Sequence, residues 1–212
     1  MIRDISIAVQ HGTPEWPGDT PFSCKWTWSM AKGASVNVSA FSCSPHVGTH
    51  ADAPLHVHDG WPGVHELPLE PFVGRARIVD VSTLPETIEL VHLEALGPLA
   101  GVERLLLKTG RTIATGRFPE RWPALSERCA RDLLGLGLRL LGVDAPSVDE
   151  RESKTLAVHR MLFSGNACVL ENLDLRRVTP GDYELLAAPL KLMGLDAAPV
   201  RAVLRALPAS RG

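Results

Sequence analysis

His46-Val47-Gly48-Thr49-His50-Ala51-Asp52-Ala53-Pro54-Leu55-His56 packs three imidazoles and a carboxylate into eleven consecutive positions. The chain holds 8 His in 212 residues, so a window of twenty should contain about 0.8 of them by chance; residues 46–65 contain five, with His58 and His65 completing the set. Imidazole and carboxylate donors at this density suit Zn2+, with Mn2+ or Fe2+ as alternatives. Gly48, Thr49 and Ala51 are small enough to let the backbone close around an ion. Pro45 and Pro54 stiffen the ends of the segment and reduce the entropy lost in ordering it. A helical middle would put His46 and His50 on one face at i, i+4. One histidine alone is usually a surface or hydrogen-bonded residue, and His58 and His65, which flank the turn-like Asp59-Gly60, keep that reading.

Outward from this segment, the composition is that of a soluble globular protein. Hydrophobic residues are 45% and charged residues 22%, enough to bury a core, and 212 residues fit one domain spanning 1–212 better than two. Lys and Arg number 22 against 24 Asp and Glu, so no charge excess recruits nucleic acid or an anionic membrane. Cys24, Cys43, Cys129 and Cys168 form no C-x-x-C pair, which points to reduced thiols. The start, Met1-Ile2-Arg3-Asp4-Ile5, lacks the basic and apolar regions of a signal peptide, and no run of eighteen apolar residues offers a membrane span. A cytoplasmic location is the expectation.

Periodicity predicts a mixed α/β domain in which sheet exceeds helix. Residues 5–9 and 35–39 alternate apolar and small polar side chains, the period of a half-buried strand. Residues 77–81, 104–108, 138–143 and 167–172 are short β-compatible apolar runs, and helical spacing covers roughly 89–97, 125–136 and 154–163. Gly97-Pro98 and Gly137 supply the stops for the first two helices. Strand order does not follow from this pattern.

The whole His46–His56 segment resembles the HxGTHxDxPxH signature of the cyclase family of metal-dependent hydrolases, matching at His46, Gly48, Thr49, His50, Asp52, Pro54 and His56. Asp4-Ile5-Ser6, Trp16-Pro17-Gly18-Asp19-Thr20-Pro21-Phe22, Asp144-Ala145-Pro146-Ser147-Val148-Asp149, His159 and Glu171 extend the resemblance over roughly 4–190. Within the family, Trp16-Pro17-Gly18-Asp19-Thr20-Pro21 is similar to the formamidase branch. The resemblance implies a swivelling β/β/α domain, a homodimer, and two Zn2+ per chain, with Mn2+ as an alternative. His46, His50 and Asp52, joined by Glu171, would bind one ion. Asp52, His159 and Glu171 would bind the other, so that both carboxylates bridge. On the residues alone, His159 reads as a half-buried histidine of an ordinary helix. Glu171, set in an apolar strand, is costly to bury unless it is paired or metal-bound.

His56 is the signature histidine left over from these ligand sets, and the comparison makes it the general acid/base, a task suited to an imidazole pKa near neutrality. Trp16 would face the aromatic ring of the substrate, against the plain alternative that it caps the core. Cys43 has no His–Cys pairing pattern to make it a nucleophile. The implied activity is hydrolysis of an aryl formamide, N-formyl-L-kynurenine, with a cyclic amide such as isatin as the nearer rival. A non-catalytic metal-binding protein is the farther one, and it would need neither His56 nor Trp16.

Overall fold

Leu105-Leu106-Leu107 and Leu140-Leu141 are apolar without alternation, the mark of strands covered on both faces. The computed structural model describes residues 2–207 and places both runs at the centre of a sheet. Its strands are β1 (Ile2–Asp4), β2 (Ser23–Trp28), β3 (Val38–Ser42), β4 (His50–Asp52), β5 (Val73–Asp80), β6 (Thr87–Ile88) and β7 (Arg104–Lys108). They continue as β8 (Ala124–Leu125), β9 (Leu140–Val143), β10 (Cys168–Glu171), β11 (Gly181–Leu186), β12 (Ala197–Pro199) and β13 (Val203–Ala206). The α-helices are α1 (Leu90–Glu94), α2 (Glu127–Gly135) and α3 (Ala157–Ser164).

Nine strands form one mixed sheet in the order β1-β13-β11-β5-β7-β9-β10-β4-β12. β5, β7, β9 and β10 run parallel, and antiparallel strands extend the sheet on either side. The pleat sorts the central side chains into two layers. Val79, Leu105, Leu107, Leu141, Val143 and Val169 pack with Leu93 of α1, Leu133 of α2 and Leu162 of α3. Ile78, Leu106, Leu140 and Leu170 face the other way, onto Ile5, Phe72, Leu185 and Leu204. Each such side chain contributes about 1.5–3 kcal/mol on burial. The Ser126 hydroxyl accepts the Cys129 N–H and caps α2, worth about 1 kcal/mol.

This is the mixed α/β class the periodicity predicts, with several shifts of detail. Residues 5–9 form no strand: Ile5 and Ile7 are buried, but Ser6 makes only a single bridge to Leu173. The strand expected at 35–39 lies at Val38–Ser42, and α3 starts at Ala157, after Leu156 takes a left-handed φ of 49°. β2, β4 and β11–β13 escape a reading by hydrophobic runs, because they are short or carry polar residues at exposed edges. Around the signature, Gly48 has φ 76° and a Cβ there would lie 2.5 Å from Val9 Cγ2, so a tight turn replaces the helical option. His46 sits in that turn and His50 opens β4. No helix among the described residues is long and apolar enough to cross a membrane.

Candidate metal centre

In a strand, residues i and i+2 share a face. His50 and Asp52 of β4 therefore point together, while Ala51 between them packs into the core. β4 pairs antiparallel with β10 in the register Glu171↔His50 and Val169↔Asp52, which sets the last residue of β10 beside the first of β4. α3 brings His159 onto the same spot. The site thus lies at the carboxyl end of the parallel strands, where open α/β sheets place their ligands.

Each of three histidines spends one ring nitrogen on an outer acceptor and turns the other inward. His50 Nδ1–H donates to the Gly48 carbonyl at 2.9 Å, His46 Nε2–H to Asp196 Oδ2 at 2.9 Å, and His159 Nδ1–H to Asp149 Oδ2 at 2.6 Å. This fixes the tautomers and aims lone pairs at the centre. Inward, His46 Nδ1 and His50 Nε2 lie 3.0 and 3.2 Å from Asp52 Oδ1, and His50 Nε2 lies 3.5 Å from Glu171 Oε2. His159 Nε2 is 3.2 Å from both Asp52 Oδ2 and Glu171 Oε1. Asp52 and Glu171 each turn one oxygen toward each group of imidazoles.

This arrangement fits a cation better than it fits hydrogen bonding. Asp52 Oδ1 is buried and makes no hydrogen bond, although two imidazole nitrogens stand within 3.2 Å of it. A buried carboxylate oxygen without a donor is costly, and ring nitrogens converging on it at poor hydrogen-bond angles suit a shared ion. Two overlapping sets, His50–Asp52–Glu171 and His46–Asp52–His56, have ligand atoms within 4.8 Å of one another. Burial alone would lower His46 and His50, but the Asp52 charge beside both, with Asp196 at His46, lifts them to about 10 and about 9. For His159, the bonds to Asp149, Asp52 and Glu171 outweigh burial and raise its pKa well above the ordinary value. A field that would protonate these rings would also hold a divalent cation, which competes for the same nitrogens.

His56 ends the 3-10 turn Pro54–His56 and remains partly open to a cavity of about 410 Å3 that His46, His50, His159 and Glu171 also line. Its Nδ1 lies 3.3 Å from Asp196 Oδ2. Hydrogen bonds from His46 and His56 hold the Asp196 carboxyl far below the usual range, so it accepts from both rings. Neither distance nor Asp196, which it shares with His46, sets His56 apart from the ligand candidates; its side chain is the more exposed, 28% against 19% for His46. Trp16 lines the same cavity, 39% exposed, edge-on to Phe118 with ring centroids 5.4 Å apart and to Trp122 at 6.2 Å.

All seven sequence candidates, His46, His50, Asp52, His56, His159, Glu171 and Trp16, therefore meet around one cavity. His58 stacks on Trp61 and His65 accepts the Gly194 N–H, both away from it. Burial, then the Asp19 charge, push the Cys43 thiol up, against a nucleophilic thiolate. Asp149 and Asp196 escape the sequence reading. Asp149 lies in the quoted Asp144–Asp149 segment without a role assigned, and Asp196 comes close only through the β12–β4 pairing, Ala197↔Asp52.

The Cyclase family model matches residues 3–150. The chain belongs to the Cyclase family. Among curated members, kynurenine formamidase of Bacillus cereus is 46% identical over 202 residues, covering 95% of this chain and 96% of that protein. Kynurenine formamidase of Bordetella avium is 42% identical over 207 residues, covering 96% and 97%. A structure from Bacillus stearothermophilus, described as a predicted metal-dependent hydrolase, superposes with a TM-score of 0.80 at 29% identity, covering 96% of this chain and 97% of that one. Isatin hydrolase A from Ralstonia solanacearum has a TM-score of 0.81 at 23% identity, covering 96% and 91%, and shares the Cyclase fold.

Proposed function

We propose that this chain is an arylformamidase that hydrolyses N-formyl-L-kynurenine to L-kynurenine and formate, a step of tryptophan degradation. The observation that carries this reading is whole-length identity of 42–46% to kynurenine formamidases, over a chain whose imidazoles and carboxylates converge on one cavity. Two Zn2+ are the assigned metals. His46, His50 and Asp52 with Glu171 would hold one, and Asp52, His159 and Glu171 the other. Bound there, the ions supply Lewis acidity that polarises a carbonyl and lowers the pKa of water.

The chain's own residues do the rest. Trp16, backed by Phe118, presents a flat wall that orients the aryl formamide. His56 keeps its Nδ1–H on Asp196, which leaves Nε2 free to take a proton from the attacking water. The same Nε2–H then protonates the departing aniline nitrogen as the C–N bond breaks, so that formate and the free arylamine leave. Asp149 and Gly48 hold the rings of His159 and His50 in their working tautomers.

A homodimer is part of this reading. β2 and β3 form a ribbon with every residue exposed, including Trp26, Trp28 and Phe41 at 64%, 58% and 69%. A lone two-stranded ribbon is marginal in water, and such an apolar surface with open edges is a template for a second copy. The four free cysteines suit the reducing cytoplasm. The test of function is kcat/KM for N-formyl-L-kynurenine against isatin on the zinc-loaded protein. A higher value for isatin would overturn the formamidase reading and leave the metal centre standing. Light scattering that gives one chain's mass, 22.9 kDa, would overturn the dimer.

A further inference from the structure

We infer that Lys154 and Asp19 form a subsite for the zwitterionic α-amino-acid end of the substrate, Lys154 taking the α-carboxylate and Asp19 the α-ammonium; the inference rests on the formamidase reading. The cavity that holds the imidazoles is lined by charged as well as aromatic side chains, Lys154 and Asp19 among them. Lys154 is the one Lys or Arg among the residues lining this cavity. Among the described residues, it and Asp19 are left outside pairs of the kind made by Arg75 and Arg77 with Asp182, Arg176 with Asp174, Arg201 with Asp4 and Arg205 with Glu184. Glu15 lines the cavity as well and is likewise unpaired; Lys154 suits a carboxylate, and Asp19, in the turn that carries Trp16, suits an ammonium.

The geometry ties these charges to the rest of the site. The Asp19 N–H donates to the Trp16 carbonyl at 2.9 Å, so the turn that presents the aromatic wall also presents this carboxylate. One carboxylate oxygen of Asp19 accepts the Thr20 N–H, which leaves the other free. Lys154 lies in the short connection between Asp149 and α3, the segment that positions His159, and its four-carbon stem lets the ammonium follow a carboxylate. The other cation of this connection, Arg151, is engaged over the Phe118 ring, 5.6 Å from its centroid. Asn172 also lines the cavity, with a left-handed φ of 55°, and its side-chain oxygen is buried without a hydrogen-bond partner.

N-formyl-L-kynurenine has a formamide at one position of the ring and, beside it, a keto chain that ends in the amino acid. With the formamide at His56 and the ring against Trp16, the amino acid is left for the charged wall. Isatin carries neither charge and would gain nothing there.

The experiment compares kcat/KM for N-formyl-L-kynurenine with that for N-formyl-2-aminoacetophenone, which keeps the formanilide and the ketone but lacks the amino acid. Lys154→Met and Asp19→Asn should each lower the ratio of the two values about 10- to 100-fold, the range for a charge-assisted hydrogen bond, chiefly through KM. Lys154→Arg should recover part of the loss. Zinc content and melting temperature of each variant establish that the site is intact. An unchanged ratio, whether both substrates suffer equally or neither does, overturns the subsite. If the unsubstituted enzyme turns over neither compound, the formamidase reading itself falls; that result is distinct from an active enzyme whose ratio does not move.

Discussion

Asp149 grips His159 by both ring and backbone. Its Oδ2 accepts Nδ1–H at 2.6 Å and the His159 N–H at 3.1 Å, while Oδ1 accepts the Val158 N–H at 3.0 Å. Leu156, at the start of α3, offers no capping side chain, so this carboxylate caps the helix from a distance and sets the ring that the helix carries. Burial would raise the Asp149 pKa, but the bonds to His159 win and lower it. Asp149→Ala should therefore cost about 1 kcal/mol through the lost cap and about 10–100-fold in zinc affinity through the freed ring. Thermal melts and zinc titration read the two effects separately.

His56 and His50 should part under mutation. His56→Ala is expected to fold and keep its metal while turnover falls about 10²–10⁴-fold. His50→Ala, which removes a buried imidazole proposed as a ligand, should lose metal. Elemental analysis of both variants decides: equal metal loss would make His56 a ligand, as its place beside His46 and Asp52 allows.

Asp196 should act through His56. Asp196→Ala should lower kcat about 10–100-fold, as loss of a carboxylate behind a working histidine does. In a protein already carrying His56→Ala the same change should cost little more. Full additivity in this double-mutant cycle would show that Asp196 works through His46 alone.

Trp16→Ala should raise KM for the aryl formamide with metal content unchanged, a loss of about 0.5–1.5 kcal/mol for the aromatic contact. Steady-state kinetics check it; a fall in kcat at constant KM would place Trp16 in the chemical step.

The two metal states should respond oppositely to pH. Without metal, His46 and His50 titrate at about 10 and about 9, above the ordinary 6.5. A raised folded-state pKa adds stability that is full below the unfolded value and lost as pH climbs through the folded one. The chelated protein should therefore lose melting temperature on the alkaline side, from neutral pH up to about 10. Zinc requires neutral rings, so the loaded protein should instead lose metal as pH falls into the acid range.

Much of this was legible in the residues themselves. The density of imidazole around His46–His56 marked the site, because few segments gather so many metal-binding donors without a use for them. Unbroken apolar runs such as Leu105-Leu106-Leu107 marked the central strands: β7 falls where the pattern put it, at Arg104–Lys108, since a strand covered on both faces must be apolar throughout its middle. Strands such as β11, Gly181–Leu186, carry polar residues toward solvent and leave no such trace.

The sequence by itself determined which side chains could bind metal and which stretches could be buried, since both follow from the chemistry of single residues and their near neighbours. The His50 ring is oriented locally, by the Gly48 carbonyl two residues away, but only the tertiary structure decided which nitrogen of His159 and of His46 faces inward. That choice belongs to Asp149, which shares a cluster with His159, and to Asp196, 150 residues from His46 along the chain, brought there by the register of β12 on β4. A hydrogen bond reaches about 3 Å whatever the separation in sequence, so contacts of this kind are set by how the strands pair and are written in no local pattern.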